Sequence, residues 1–496
     1  MIGAEHERQR LEAEVAAAAR SLNGRAFEFE APVDRPLEAG SYVTIAAPSR
    51  ALLGQVIESR LELREGPEVE SATDAATRYR TRVRYYAVAG RGRVLEIGEP
   101  LNDAPVRAAE PGEVGAWLDR TAPARARLTI GELTFAPGVP ARLDAGGFAR
   151  HTFLCGQSGS GKSYALSVIL EQLLLETDLR VVILDPNSDF ARLPLARDDV
   201  EPAIAGRWAD RASRIEVRRS GDEGDSRLHL RFFDLGARSR AAVAQLDPLR
   251  DRDEYAALLT VIEREAAGAS VVDLERWIVE PPPELQQLSL RVRNLGLLDW
   301  PIWSRGDTSA GLLERLADDD WRALVVDLGS IPGERARSTV AEAVLSELWE
   351  MRERRRPTLC VIDEAHNVCP AAASDPVTQL STEHAVRIAG EGRKFGIHLL
   401  VSTQRPSKVH DNVLSQCDNL VLMRMNSAAD IAHLTGLLSY APASLIEQST
   451  LFRQGEALVA GTIVSHPTFV RVSGRVTQEG GSDIPADWAA VPQPAG

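Results

Sequence analysis

The spacing of apolar residues divides this chain into stretches of different predicted structure. In residues 4 to 23, apolar residues recur at helical intervals from Leu11 to Leu22, and Gly24 follows them. Residues three or four positions apart lie on one face of a helix, so we predict an N-terminal helix within residues 1–24. Its single narrow apolar stripe suits docking or oligomerisation.

From about residue 25 to 140 the pattern changes to short apolar runs separated by Gly, Pro and Asp. Alternation of apolar and polar residues is typical of strands buried on one face. Several such strands without a long helix predict a small β-barrel or sandwich. The clearest strands are expected at Tyr42–Ala46, Leu52–Leu63 and Arg78–Val88.

The last of these strands carries a row of arginines at alternate positions. Arg78, Arg80, Arg82 and Arg84 alternate with Tyr79, Thr81, Val83 and Tyr85. One face of the strand is therefore predicted to be buried and the other basic. The basic face either contacts DNA or an acidic partner, or is simply solvated, and the sequence leaves both interpretations open.

In residues 141–473, apolar strands alternate with helical patterns, which predicts an α/β domain whose parallel sheet is covered on both faces. Residues 121 to 150 form a turn-rich passage into this domain. The expected strands are Thr152–Cys155, Leu179–Leu184, Ala323–Leu328, Leu359–Ile362, Ile397–Ser402 and Leu420–Met423.

Two stretches depart from this alternation. Residues 238–320 are mostly helical in pattern and are predicted to be an inserted helical subdomain, with helices at Tyr255–Ala266, Val271–Val279 and Glu284–Leu298. The tail, residues 474–496, is rich in Gly, Pro and Ala. We expect it to be extended and poorly ordered.

Composition narrows the class of protein. The chain has 496 residues, of which 44% are apolar and 26% charged, enough for roughly three domains. No run approaches the ~18 apolar residues of a membrane span, and the N-terminus lacks a signal-peptide core, so we expect a cytoplasmic protein. The four cysteines lack paired spacing and are expected to be buried in a reducing compartment.

The net charge of −14 argues against a protein whose whole surface binds nucleic acid. A local basic channel remains compatible with it. The chain has only three lysines, at 162, 394 and 408, against a large excess of arginine. Lys162 is the lysine of the glycine-rich run, whereas Lys394 and Lys408 either lie where a compact ammonium is preferred over a guanidinium or persist by chance.

The glycine-rich run Gly156-Gln-Ser-Gly-Ser-Gly-Lys-Ser163 lies between a predicted strand and a predicted helix. Glycines let the backbone N–H groups converge on phosphate, and the helix N-terminus adds positive potential. Lys162 is expected to reach the β and γ phosphates of ATP, and the Ser163 hydroxyl to ligate Mg²⁺. The predicted nucleotide-binding residues are Gly156, Ser158, Gly159, Ser160, Gly161, Lys162, Ser163 and Tyr164.

Polar residues follow three of the predicted strands at their carboxyl ends, where ligands bind in open parallel sheets. Asp363 is expected to hold Mg²⁺ through water, and Glu364 to orient or deprotonate the attacking water. Gln404, at the tip of another strand, is expected to sense the γ-phosphate. Asp185 either serves the same site or only shapes a turn before Pro186.

Two adjacent cations, Arg393 and Lys394, lie in a corner flanked by Gly392 and Gly396. A cation of this kind can reach a phosphate across a subunit interface and neutralise charge in the transition state. Cations at a helix C-terminus also stabilise the helix dipole, an alternative worth ~0.3 to 1 kcal/mol.

Taken together, these motifs resemble those of HerA-type ATPases of the HerA/FtsK branch of P-loop NTPases. The resemblance extends from about residue 25 to 480, and the run from Glu391 to Cys417 is its most specific part. The motifs that carry it are the glycine loop, Asp185-Pro-Asn-Ser-Asp-Phe190, Val361-Ile-Asp-Glu-Ala-His-Asn367, Glu391-Gly-Arg-Lys-Phe-Gly396, Ser402-Thr-Gln-Arg-Pro406, Val413-Leu-Ser-Gln-Cys417 and Phe469-Val-Arg-Val472.

The resemblance implies a RecA-like P-loop core and a homo-hexameric ring that threads double-stranded DNA through its pore. It implies that the β-strand region 25–140 is a HAS-barrel-like domain, which docks a NurA-type nuclease or a phage-defence effector. It also implies that Arg393 acts on the nucleotide of a neighbouring subunit, with Lys394 as the alternative. Lys408 and residues 367–384 are candidates for the pore. An ATP-gated ring that organises an effector without moving DNA remains the second hypothesis.

Overall fold

The computed structural model describes residues 2–72, 78–123, 125–268, 279–304 and 309–480. Its contacts divide the chain into two compact units. The first unit comprises Met1–Gly147, Gly156–Lys162 and Asn419–Gly474, and the second comprises Phe148–Cys155, Ser163–Asp418 and Arg475–Gly496. In the described part of the chain, no helix is both long and apolar enough to cross a membrane.

The strands are numbered in chain order. They are β1 (Ala18–Ser21), β2 (Ala26–Ala31), β3 (Tyr42–Ala46), β4 (Ala51–Ala72), β5 (Arg78–Val94), β6 (Leu101–Ala108), β7 (Arg127–Leu133), β8 (Ala136–Asp144), β9 (His151–Cys155), β10 (Arg180–Asp185), β11 (Ile215–Arg219), β12 (Ala323–Asp327), β13 (Thr358–Ile362), β14 (Ile397–Thr403), β15 (Cys417–Met423), β16 (Glu456–Gly461) and β17 (Thr468–Val472).

In the first unit, β1 to β6 pair in the order β1-β2-β5-β4-β3-β6, and β6 pairs back with β1, so that the sheet closes into a barrel. Alternate residues of these strands face inward; Phe27, Val43 and Ile45 are at most 2% exposed. Gly92 makes room for one of these side chains, because a Cβ there would lie 2.1 Å from the ring of Phe27.

The helix predicted over residues 4 to 23 is too long. It spans Ile2–Glu14, and Ala18–Ser21 is instead the barrel strand β1, which pairs with β2 and β6. The run of alanines there favours a helix locally, but Ala19 and Ser21 are buried in the strand arrangement. Tertiary pairing therefore overrides local propensity.

The predicted row of arginines on β5 is exposed at Arg80, Arg82 and Arg84, whereas Val83 is buried. On β4, glutamates lie opposite these positions, and Arg82 forms ion pairs with Glu65 and Glu68. The contacts of Arg82 favour the interpretation of a solvated, ion-paired face.

The passage predicted to be turn-rich, residues 121–150, contains the β7–β8 hairpin. In the first unit β7 also pairs with β17, β17 with β16 and β16 with β15, all antiparallel. Of these strands only Leu420–Met423 was predicted, as part of the parallel sheet, and that expectation was wrong for its antiparallel pairing with β16. The partners β7 and β17 lie more than three hundred residues apart along the chain, so no local pattern indicated that pairing.

The second unit contains six parallel strands in the order β11-β12-β10-β13-β14-β9. All residues of β9, β12, β13 and β14 are buried, as expected for strands covered on both faces. The predicted parallel sheet is confirmed, and β11 is an addition that the sequence pattern did not reveal.

The α-helices are Ile2–Glu14, Pro111–Thr121, Lys162–Glu176, Pro202–Ala212, Ala237–Val243, Arg252–Ala266, Gln286–Asn294, Leu312–Ala317, Glu334–Glu350, Pro376–Glu391, Asp411–Leu414, Ala428–Leu437 and Ala443–Glu447. The helix predicted at 284–298 is shorter and is followed by a separate 3-10 turn, Leu297–Asp299. The helix predicted at Val271–Val279 falls almost wholly outside the described residues, at 269–278.

The first residues of the segment predicted to be a poorly ordered tail, 474–496, are buried. Arg475, Val476 and Thr477 are each at most 7% exposed. Residues 481–496 lie outside the described part of the chain. The buried part of this segment is stabilised by contacts with residues far away in the sequence.

Candidate nucleotide site

The glycine loop follows β9 directly and leads into the helix Lys162–Glu176, as predicted. Gly159 and Gly161 have φ of 73° and 96°, a conformation that residues with a side chain rarely adopt. Lys162 and Ser163 occupy the first turn of the helix, and Lys162 is 5% exposed. Backbone N–H groups at such a turn form an anion-binding concavity.

Contacts inside the first unit fix the shape of the loop. The N–H of Gln157 donates to the carbonyl of Arg424 at 2.9 Å, and the N–H of Gly455 donates to the carbonyl of Ser160 at 2.9 Å. Ser158 and Gly159 are exposed, whereas Ser160 is buried. The exposed tip of the loop is thus open to a ligand while its base is held by the protein.

An aspartate lies at the carboxyl end of three neighbouring strands of the second unit: Asp185 and Asp327 are the last residues of β10 and β12, and Asp363 directly follows β13. Asp185 is the register partner of Asp327, and the N–H of Asp363 donates to the carbonyl of Leu184 at 3.2 Å. All three aspartates are fully buried. The sequence analysis gave no role to Asp327, although it too is an acid at the carboxyl end of a buried strand. The carboxylate of Asp327 forms an ion pair with Arg219 at 2.8 Å.

The carboxylate of Asp185 mainly shapes its own turn. It accepts the backbone N–H groups of Asn187, Asp189 and Phe190 at 3.2, 3.1 and 2.8 Å. Burial, together with the negative charge of nearby aspartates, raises the pKa of Asp185 to about 7. Of the two interpretations offered by the sequence, these contacts support the turn.

Glu364 lies directly after Asp363 in a left-handed backbone conformation, with φ of 44°. Its side chain is buried and its Oε1 accepts a hydrogen bond from Nε2 of Gln404 at 2.7 Å. Nδ1 of His366 lies 3.3 Å from its Oε2. Such strain at a non-glycine residue persists only where the surroundings hold it, and it is typical of functional sites.

The same network reaches the end of β14. Nδ1 of His366 lies 3.1 Å from Oγ1 of Thr403, and the N–H of Arg405 donates to that hydroxyl at 3.0 Å. Thr403 is the register partner of Cys155, the last residue before the glycine loop. Gln404, which follows Thr403, therefore lies at the same end of the sheet as Cys155. The predicted pair Glu364 and Gln404 is therefore brought together.

The residues predicted to hold Mg²⁺ have suitable chemistry for it. Mg²⁺ prefers oxygen ligands and keeps several waters. The hydroxyl of Ser163 lies in the first turn of its helix, and Asp363 is a fully buried carboxylate at the end of β13. A hard cation with its waters fits this donor set.

Arg393 and Lys394 lie at the opposite end of β14. Both precede Ile397, the first residue of β14, whereas the glycine loop follows Cys155, which pairs with Thr403, the last residue of β14. A strand of seven residues is about 23 Å long, so this length separates the two cations from the start of the loop. Arg393 forms an ion pair of 2.8 Å with Asp418. Lys394 is exposed. The structure does not bring either cation to the loop of its own chain.

Comparisons with known proteins agree with this geometry. The family described as "Helicase HerA, central domain" matches residues 128–274. The chain is 24% identical over 414 residues to the DNA double-strand break repair helicase HerA of Pyrococcus furiosus, covering 72% of this chain and 73% of that protein. It is 23% identical over 388 residues to the helicase HerA of Saccharolobus solfataricus, covering 75% and 73%.

Among solved structures, VirB4 of Thermoanaerobacter pseudethanolicus is similar with a TM-score of 0.49 and 17% identity, covering 71% of this chain and 97% of that one. The predicted resemblance to HerA-type P-loop ATPases is confirmed by the family match over residues 128–274 and by the HerA relatives. The six parallel strands of the second unit agree with the predicted P-loop ATPase fold.

Proposed function

We propose that this HerA-type ATP hydrolase works as a homo-hexameric ring that moves double-stranded DNA through its pore. The observation that carries the proposal is the hydrogen bond between Glu364 and Gln404 at the strand edge where the phosphate loop begins. A buried carboxylate in reach of a strand-end amide is the arrangement that couples hydrolysis to a sensed phosphate. The named activity of the HerA relatives, a DNA double-strand break repair helicase, supports DNA as the substrate.

Each predicted residue then has a distinct role with ATP. The loop N–H groups and Lys162 bind the phosphates, while Ser163 and Asp363 hold Mg²⁺, which when bound neutralises phosphate charge. Glu364 accepts a proton from the attacking water or orients it. Gln404 holds the carboxylate in place and is positioned to respond to the γ-phosphate.

The position of Arg393 supports assembly into a ring. Because the cation lies a strand length from its own loop, it completes a nucleotide site only if it belongs to a neighbouring subunit. In this assembly Arg393 leaves Asp418 and neutralises charge on the transferred phosphate. Lys394, which is exposed, is the alternative.

The DNA path is proposed to run along two adjacent loops. The N–H of Ala371 donates to the carbonyl of Lys408 at 2.8 Å, and the N–H of His410 donates to the carbonyl of Cys369 at 3.0 Å. Lys408 is exposed and cationic. The predicted pore segment 367–384 is only partly a loop, since the helix Pro376–Glu391 begins within it.

The N-terminal barrel is proposed to be a HAS-barrel-like docking domain for a NurA-type nuclease or a defence effector. The ion-paired outer face of β4 and β5 supports a protein partner, since its charges alternate in sign rather than forming a basic surface for DNA.

The test is displacement of a bound protein roadblock from duplex DNA, measured together with ATP turnover. We expect duplex DNA to raise the ATP turnover of the wild-type chain, and that chain to displace the roadblock. The Glu364→Gln variant should bind ATP but neither hydrolyse it nor displace the roadblock. DNA-independent turnover without displacement, at low salt, would contradict DNA movement and favour an ATP-gated scaffold.

A further inference from the structure

Residues 475–480, here named the C-terminal strap, cross the helix that begins at the phosphate loop. The carboxylate of Glu171, on the third turn of that helix, accepts the N–H groups of Val476 and Thr477 at 2.7 and 3.0 Å and the hydroxyl of Thr477. Glu171 is fully buried. A buried carboxylate is costly unless its oxygens are satisfied, so these three donors make the strap a specific partner of this helix.

The strap also binds the segment that follows β10. The N–H of Arg197 donates to the carbonyl of Val476, and the N–H of Gln478 donates to the carbonyl of Leu195, both at 2.9 Å. The N–H of Gly480 donates to the carbonyl of Asp189 at 3.1 Å. A Cβ at Gly480 would lie 2.2 Å from the carbonyl oxygen of Ser188, so only glycine allows this close approach.

The turn reached by Gly480 is the one that holds Asp185, because the N–H of Asp189 donates to that carboxylate. Ser188 in the same turn donates to Asp327 at 2.7 Å. The strap therefore connects the phosphate-loop helix with the turn that supports two of the strand-end aspartates.

The start of the strap contacts Tyr164, one of the predicted nucleotide-binding residues. The N–H of Arg475 donates to the hydroxyl of Tyr164 at 3.3 Å, and its guanidinium carbon lies 5.8 Å from the centre of the Tyr164 ring. Tyr164 follows Ser163 directly. Arg475 is 93% buried, and its guanidinium pairs with the exposed Glu479 at 3.3 Å. The buried Arg475 is thus held against Tyr164, the residue that follows Ser163, the predicted Mg²⁺ ligand.

We propose that the C-terminal strap is a clasp of the nucleotide site: it positions the first turn of the phosphate-loop helix for ATP, and bound nucleotide in turn holds the strap in place. Arg475 and Thr477 are its positioning residues. The inference rests on ATP binding at the glycine loop and not on DNA movement.

Thermodynamic linkage makes this coupling reciprocal. If the docked strap raises the affinity for ATP, ATP must lower the equilibrium constant for opening of the strap by the same factor. A segment that only contributes to stability would instead open equally often with and without nucleotide.

The first experiment measures the Kd of a fluorescent ATP analogue for the full chain and for the variants Arg475→Ala and Thr477→Val. Gln478→Ala is the matched control, because its side-chain amide bonds the carbonyl of Ala196 and not the phosphate-loop helix. We expect the first two variants to raise Kd about 5-fold or more, and the control to leave it unchanged. Unchanged Kd in folded Arg475→Ala and Thr477→Val proteins would overturn the proposal.

The second experiment uses the wild-type chain and so does not depend on whether a variant folds. Amide hydrogen exchange of the peptide containing Val476 and Thr477 is measured with and without a non-hydrolysable ATP analogue. Slower exchange with the analogue supports the clasp, and equal exchange overturns it. Neither readout involves DNA, so a chain that fails to move DNA can still pass both tests.

Discussion

The side-chain amide of Gln404 donates a 2.7 Å hydrogen bond to Oε1 of Glu364. These residues lie on different elements, one after β13 and the other after β14, and parallel pairing of the two strands brings them together. The amide fixes the carboxylate and leaves Oε2 facing His366 and the N–H of Gln404. The carboxylate is therefore held in place, as the proposed activation of water by Glu364 requires.

Replacing Gln404 with Ala should lower kcat about 10- to 100-fold with a small change in the Kd for ATP, because the amide positions the carboxylate while the loop N–H groups and Lys162 supply most of the phosphate binding. Steady-state turnover and analogue binding measure the two quantities. Gln287→Ala, on the exposed face of the helix Gln286–Asn294, is the control. A large loss of binding with normal kcat would contradict this role.

Mixing two inactive variants tests whether Arg393 acts on a neighbouring subunit. Arg393→Ala and Glu364→Gln should each lose at least about 100-fold in turnover. In mixed rings, an intact Arg393 from one variant can face the intact Glu364 of the other, so turnover should partly recover. If the mixture stays as inactive as its components, Arg393 does not act in trans, and the same mixing with Lys394→Ala tests the alternative.

Lys408→Ala should weaken duplex-DNA binding and DNA-stimulated turnover while leaving basal turnover intact. Each lost phosphate contact reduces the slope of log K against log salt by about 0.9. Binding titrations at several salt concentrations measure that slope. Arg20→Ala removes an exposed cation of the barrel and should leave the slope unchanged; equal effects of both variants would argue against a DNA path at Lys408.

The pH dependence of the free energy of unfolding should show the contribution of Glu113. Its carboxylate accepts hydrogen bonds from Arg107, Thr44 and the N–H of Glu110. The Arg107 guanidinium, with these other donors, lowers the pKa of Glu113 to about 2. A lowered pKa stabilises the folded state above the unfolded value near 4.5, and this contribution is lost as the pH falls toward 2.

We therefore expect Glu113→Gln to destabilise the protein by about 1 kcal/mol at pH 7, a figure reduced for solvent screening of this partly exposed pair. Thermal unfolding followed between pH 7 and 3 should show the difference from wild type narrowing below pH 5. Glu38→Gln, an exposed position of the same barrel, is the control. A difference independent of pH would mean that the charge of Glu113 contributes nothing.

Several features were predictable from short stretches of sequence because their physical cause is local. Buried parallel strands appear as continuous apolar runs, so β9, β10, β12, β13 and β14 were expected close to their observed bounds. The phosphate loop needs glycines with positive φ between a strand and a helix, and Gly159 and Gly161 supply them. The roles of Lys162, Ser163 and Asp363 stay predictions drawn from that pattern.

Features that depend on distant partners could not be predicted in this way. Ala18–Ser21 reads as a continued helix, and only pairing with β2 and β6 makes it a strand. The ion pair of Arg393 with Asp418 likewise joins two residues that are 25 positions apart along the chain.

By itself, the sequence determined the class of the fold, the phosphate loop and the residues at the strand ends, because these follow from local apolar patterns and backbone constraints. Only the tertiary structure decided that Glu364 is held by Gln404, 40 residues away, and that Glu171 is satisfied by Thr477, 306 residues away. A hydrogen bond requires a specific distance and direction between two groups, and for residues so far apart along the chain only the folded arrangement of the strands and helices sets both.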